Sequence, residues 1–208
     1  MIRIRFNGYD LSAFLQEKAP RVTRANVASM KGRSKAGKWS GVRYYPVFMK
    51  TCVLFPGRIK PKALAAAQEE YAKRLKSFGV EVLEYKVEKV SPRTPELAKQ
   101  AEAGRIFKLL KEGDYLVACD ERGQKIQTLE MAKLVKAARQ GGFPMAGRRR
   151  MVVAIGGALG LAGSVRERAD AVWSLSSLVM AGGVARIVLL EALYRAMTVV
   201  EGHPYHNE

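Results

Sequence analysis

Residues 151–161, MVVAIGGALGL, decide how this chain is read. Five apolar residues, Met151 to Ile155, run directly into Gly156 and Gly157, and Gly160 and Gly163 follow closely. A short valine- and isoleucine-rich run that glycine stops predicts a strand buried on both faces. The glycines then permit a tight turn and a close approach of main chain to a ligand.

Outward from that strand the pattern alternates. Residues 48–55 (FMKTCVLF) predict the first core strand, closed by Pro56-Gly57. Leu64, Ala67, Tyr71, Leu75 and Phe78 recur at three- and four-residue spacing, which predicts a helix over 62–78. Residues 80–87 alternate as a half-buried strand. Thr94-Pro95-Glu96 marks a helix start, with Thr94 as N-cap and the helix running to about residue 111. Residues 114–120 predict a third strand, and Glu121-Arg122-Gly123 a turn. Thr128 is placed as the cap of the next helix, through about 139. Ser164 is read as capping a short helix to 170, ahead of a brief strand at 172–175 and a long apolar helix at 184–200. Strands alternating with helices indicate an α/β layer fold with a mostly parallel sheet.

The composition limits the function. The 208 residues carry a net charge of +17, of which residues 1–48 supply +8. Such a balance points to a polyanion, and to RNA or DNA before a membrane. Apolar stretches are interrupted well before the roughly 20 residues a membrane span needs, so the chain reads as soluble. Cys52 and Cys119 are too few for a disulfide framework, which suits a reducing compartment. Residues 1–48, basic and without sustained periodicity, read as a transit segment or as an RNA-binding arm; residues 49–208 form the folded domain. Arg148-Arg149-Arg150 reads as a solvated turn or a phosphate contact. No P-loop, dinucleotide fingerprint or zinc spacing occurs, and no metal site is expected. The only histidines are His203 and His206, in a tail that also holds Tyr205.

Trp173-Ser174-Leu175-Ser176, Arg186, Glu191-Ala192-Leu193-Tyr194-Arg195-Ala196 and His203-Pro204-Tyr205-His206 together resemble the C-terminal signature of the RlmH family of SPOUT-class methyltransferases. Upstream, Ile155-Gly156-Gly157-Ala158-Leu159-Gly160 matches the family's I-G-G-x-x-G, and residues 114–123 its third strand and turn. Gly57-Arg58-Ile59-Lys60 and residues 69–75 resemble its N-terminal part. The likeness covers roughly residues 50–206.

The resemblance implies a parallel sheet whose C-terminal part is tied in a trefoil knot. It implies S-adenosyl-L-methionine as cofactor, transfer to N3 of a pseudouridine in large-subunit ribosomal RNA, and a homodimer, with a heterodimer with a paralogue as the alternative. By the same resemblance the cofactor walls are Cys119, Gly156, Gly157, Gly160, Ser176, Ser177, Leu178, Val179, Met180 and Ala181. The resemblance also implies that the tail of one subunit lies near the cofactor of the other. His206 or His203 is expected to take the acceptor's proton, Arg195 to stabilise the resulting negative charge, and Tyr205 to stack on the base.

Three positions depart from the family pattern. Ala181-Gly182 stands where Pro-His is usual, Cys119 where leucine is usual, and Asn207-Glu208 follows the last histidine in place of a basic residue. A second reading therefore stands beside the enzyme: a catalytically weak relative that binds ribosomal RNA as a large-subunit assembly factor. The expected compartment is the mitochondrial matrix, with plastid or bacterial-type cytoplasm as alternatives.

Overall fold

The computed structural model describes residues 5–6, 9–10, 50–87 and 94–205. The chain separates into two compact units, Met1–Arg43 and Tyr44–Glu208. In the first, β1 (Arg5–Phe6) pairs antiparallel with β2 (Tyr9–Asp10). The sequence reading assigned no element there, although Asn7-Gly8 between the strands is a dipeptide favoured in hairpin turns. The expectation of an RNA arm or transit segment otherwise falls outside the described residues.

The second unit is built on a five-stranded sheet. Its strands are β3 (Lys50–Pro56), β4 (Val80–Tyr85), β5 (Asp114–Lys125), β6 (Arg150–Ile155) and β7 (Ala171–Ser174). The order across the sheet is β4-β3-β6-β5-β7, and every pairing is parallel. Between them lie α1 (Lys62–Lys76), α2 (Pro95–Leu109), α3 (Thr128–Gln140), α4 (Gly163–Arg168) and, last, α5 (Gly182–Glu201).

The central strands are apolar throughout because both their faces are covered. Val53 and Phe55, Tyr115 and Val117, and Met151, Val153 and Ile155 pack into one core with α1, α3 and α5. The alternate residues Cys52 and Leu54, Leu116 and Ala118, and Val152 and Ala154 pack into a second core with α2 and α4. Successive side chains of a strand point to opposite faces, so one apolar run serves two cores.

At the N-terminal end of the sheet an ion pair with a buried carboxylate ties β5 to β6. The Asp114 carboxylate, fully buried, accepts from Arg150 Nε on both oxygens at 3.0 Å and from the Lys111 N–H at 2.8 Å. Arg150 also donates to the Leu109 carbonyl at 2.7 Å. Arg148 pairs with Asp170 and lies over the Tyr115 ring. Two members of the arginine triplet are thus turned inward onto acids, which corrects its reading as a solvated turn or phosphate contact.

Several boundaries differ from the sequence reading. The N-cap of α3 is Gln127, one residue before Thr128, in a capping box with Glu130. Ser164 lies inside α4, after Ala162 at the cap, and its hydroxyl faces Gln100. Thr94 holds the cap position of α2, yet its side chain makes no capping bond.

The largest correction is at 121–123. There the chain makes a bulge inside β5 where the sequence reading placed a turn that ended the strand. Cys119 and Gln124 both pair with Trp173, so the four residues between them are pushed out of the ladder. A Cβ on Gly123 would stand 2.7 Å from the Val172 carbonyl group and the Trp173 carbonyl carbon, so only glycine lets β5 regain β7 at that point.

Candidate active site

The C-terminal ends of parallel strands open into the space where ligands of α/β sheets bind. Here β5, β6 and β7 end around a cleft of about 350 Å3. That volume lies within the usual range for small-molecule sites, roughly 300–1,000 Å3. Three segments wall it: the β5 bulge, the glycine turn after β6, and the loop from β7 into α5.

The glycine turn is dictated by contact with other main chain. A Cβ on Gly156 would lie 2.4 Å from the Gly160 carbonyl carbon and 2.5 Å from the Leu161 nitrogen. No side chain fits there. Gly160, at φ +77°, donates its N–H to the Gly157 carbonyl at 3.0 Å and closes the turn. The space a Cβ on Gly157 would take is held by the carboxylate of Glu102 from α2, with Oε2 2.6 Å away. Burial raises the Glu102 carboxyl above the usual carboxylate range, and a hydrogen bond from the Gly157 backbone only partly opposes this.

The β7–α5 loop is held by serines. Ser174 Oγ donates to the Ser176 carbonyl at 2.9 Å, and Ser176 Oγ accepts from the Leu178 N–H at 2.9 Å. Leu178 and Val179 are 77% and 87% exposed, which gives the cleft an apolar lip. In the β5 bulge, Asp120 accepts from Arg122 and from Arg166; burial raises its carboxyl, but the hydrogen bonds from the Arg122 side chain and backbone and the charges of Arg122 and Arg166 outweigh this and hold it below the usual range. Arg166 also donates to the Leu161 carbonyl at 2.7 Å, so the bulge and the glycine turn are braced together. Burial pushes the Cys119 thiol up to about 12.

The residues expected to hold a cofactor fall as follows. Cys119, Gly156, Gly157, Gly160, Ser176, Leu178, Val179 and Met180 line the cleft. Ser177 and Ala181 belong to the same loop without lining it. Sequence reasoning passed over Asp120, Glu121 and Arg122, which line the cleft because the strand bulges there. Their nearest signal was an acid pair and an arginine ahead of Gly123.

The tail residues gather elsewhere. Arg195 lies over the Tyr205 ring at 5.1 Å and pairs with Glu191. Tyr205 packs edge-on against Tyr194 at 4.8 Å, and Tyr194 in turn meets Tyr71 and Phe78. His203 is exposed, and its backbone N–H donates to the Thr198 carbonyl. His206 lies outside the described residues. None of Arg195, His203 and Tyr205 lines the cleft. Gly182 lines it at the start of α5, and the tail leaves the other end of that 20-residue helix. At 1.5 Å rise per residue the two ends are about 30 Å apart, and Tyr205, folded back onto Tyr194 and Arg195, stands about 20 Å along the helix from Gly182.

A family model described as "Predicted SPOUT methyltransferase" matches residues 49–206, about three quarters of the chain and all three walls of the cleft. The chain belongs to the SPOUT methyltransferases. Its relatives include the "Ribosomal RNA large subunit methyltransferase H" of Methylobacillus flagellatus, 39% identical over 162 residues, which are 77% of this chain and all of the relative. The proteins of the same name from Syntrophotalea carbinolica and Polynucleobacter asymbioticus are 34% and 35% identical, over 76% and 77% of this chain and 99% and 100% of theirs. The resemblance to the RlmH family therefore holds, and with it the α/β SPOUT fold and a methyltransferase activity.

The cleft suits a methyl donor on its own chemistry. Gly156, Gly157 and Gly160 present main chain without side chains to it, Leu175, Leu178, Val179 and Met180 line it with apolar surface, and Glu121 stands at the bulge beside Arg122. Among the described residues no cluster of ligands fit for a metal ion occurs, and no helix is long and apolar enough to cross a membrane.

Proposed function

We propose that this SPOUT protein transfers a methyl group from S-adenosyl-L-methionine to N3 of a pseudouridine in large-subunit ribosomal RNA, acting as a homodimer with a knotted C-terminal part. The observation that carries this reading is the turn from Gly156 to Gly160, packed main chain on main chain so that only glycine fits at Gly156, and forming a wall of the cleft. The printed names of the relatives supply the RNA class, and the net charge of +17 suits it.

In this reading Gly156, Gly157 and the serine-braced loop of Ser176, Leu178, Val179 and Met180 hold the donor. When bound, S-adenosyl-L-methionine supplies an electrophilic methyl group on a sulfonium. The chain's own work is positioning, because an in-line transfer needs its reacting atoms about 3–3.5 Å apart. His206 or His203 accepts the proton that leaves the base, Arg195 faces the negative charge left behind, and Tyr205 offers a ring to stack on.

The length of α5 supports a dimer in this scheme. Arg195, with the Tyr205 ring against it, stands thirteen residues along α5 from Gly182, about 20 Å from the cleft of its own chain, so this group acts on a donor only if that donor sits in a second copy. Co-expression of a Gly156→Arg chain with an Arg195→Ala/His206→Ala chain tests this. Each alone is inactive. Random pairing restores about a quarter of the activity, since half the dimers are mixed and each has one complete site. No recovery overturns the shared site.

Calorimetry with S-adenosyl-L-methionine, and mass spectrometry of large-subunit ribosomal RNA with and without the gene, test the activity itself. Ala181-Gly182 at the lip of the cleft favours a second reading, a ribosome-assembly factor with weak catalysis. No heat of binding at millimolar donor decides for that reading. Residues 1–48 act as a targeting segment or an RNA arm, and cell fractionation followed by N-terminal sequencing distinguishes the two.

A further inference from the structure

Gly57-Arg58-Ile59-Lys60 was singled out in the sequence, and the scheme above gives it no task. The segment leaves the C-terminal end of β3, next to β6, and every strand of the sheet is parallel. It therefore emerges at the same end of the sheet as the cleft.

The fold holds this loop firmly. Gly57 donates its N–H to the Tyr85 carbonyl at 2.7 Å. The buried Arg186 of α5 lies over the Phe55 ring and donates to the carbonyls of Pro56 and Gly57. A Cβ on Gly183 would stand 2.9 Å from Leu64 Cδ1 and 3.3 Å from Ile59 Cδ1, so the loop abuts the first turn of α5. The preceding residue, Gly182, lines the cleft.

The backbone is fixed on both sides, yet the cations point outward. Arg58, Lys60 and Lys62 are exposed, and among the described residues none of them has an acidic partner. Elsewhere in the unit Arg122, Arg148, Arg150 and Arg166 are all engaged by acids. A rigid mount for unneutralised positive charge beside a catalytic cleft fits a phosphate backbone. Such contacts set the register of a nucleic acid without reading its sequence.

We propose that Arg58, Lys60 and Lys62 form a docking surface for the phosphates of the RNA substrate next to the cleft of their own chain. This rests on the ribosomal RNA reading above. The test is the salt dependence of binding to fluorescein-labelled poly(U), for the full-length protein and for an Arg58→Gln/Lys60→Gln/Lys62→Gln variant.

Three lost phosphate contacts on a single strand lower the slope of log affinity against log salt by about 2. Affinity at low salt falls at least about tenfold. The melting temperature and the affinity for S-adenosylhomocysteine stay at wild-type values, because no side chain of the cleft changes. A Lys50→Gln/Lys108→Gln/Lys111→Gln variant removes three exposed cations at the opposite end of the sheet and keeps the wild-type slope. An unchanged slope in the loop variant, or an equal loss in both variants, overturns the docking surface. If the wild-type protein binds S-adenosylhomocysteine but no RNA at low salt, the ribosomal RNA reading beneath it falls instead.

Discussion

Replacing Gly156 by alanine tests the centre of the reading. The new methyl group would stand 2.4 Å from the Gly160 carbonyl carbon and 2.5 Å from the Leu161 nitrogen. Carbon contacts settle near 3.5–4.0 Å, so the turn must retreat by about 1 Å. It has little room to do so. Gly160 is bonded to Gly157, the Leu161 carbonyl accepts from Arg166, and the Leu161 side chain is buried in the core under α2 and α4.

Forcing extra volume into such a place costs about 1–3 kcal/mol. For a chain of this size that lowers the melting temperature by about 2–12 °C. The same retreat moves one wall of the cleft by about 1 Å, enough to lower transfer about 100-fold. Gly157→Ala is the internal comparison. Its methyl group meets the end of the Glu102 side chain, which can swing away, so the thermal loss is smaller. Differential scanning fluorimetry, calorimetry with S-adenosylhomocysteine and single-turnover methyl transfer give the three readouts. A Gly156→Ala protein that melts, binds and transfers like wild type, or a Gly157→Ala protein that is the more damaged of the two, refutes the close-approach argument.

Other perturbations follow from individual groups. Because burial raises Glu102, its folded form holds a proton that the unfolded chain releases first; stability is full below the unfolded value and declines as pH rises through the folded one. Glu102→Gln flattens that decline in urea titrations across mildly acid pH, and an unaltered pH profile counts against it. Asp114→Ala leaves the half-buried Arg150 without its acid, and chemical denaturation shows a loss of about 3 kcal/mol; a loss below about 1 kcal/mol removes the pair from the account. The Cys119 thiol, pushed up to about 12, reacts with iodoacetamide at neutral pH at least about tenfold more slowly than free cysteine, as peptide mass spectrometry reports. Reaction at the free-thiol rate contradicts the burial assigned to it.

Much of this protein is visible in local pattern. The runs at Cys52–Phe55, Tyr115–Ala118 and Met151–Ile155 are apolar at every position, and that alone declares strands covered on both sides. The glycines after β6 announce a close approach, and the tail motif carries the family likeness. Of the boundaries that shifted, the one at Ser164 moved to Ala162, which has no capping side chain, so local capping preference did not set it. At Gln127 the capping box with Glu130 prevailed over a threonine one position later.

What lay beyond the sequence involves residues far apart in it. Residue order does not say that β7 pairs with β5, or that Cys119 and Gln124 share Trp173, and so it hid the bulge that carries Asp120, Glu121 and Arg122 into the cleft. Nothing near Gly157 names Glu102, 55 residues earlier, as the group filling its empty side. The length of α5, legible from the start, gained its meaning only when its first turn was found at the cleft and its tail among Tyr71, Phe78 and Tyr194. The period of side-chain burial is a local property of the backbone, and the sequence carries it openly. Which surfaces meet is settled by packing the whole core at once, and the cleft is made of such meetings.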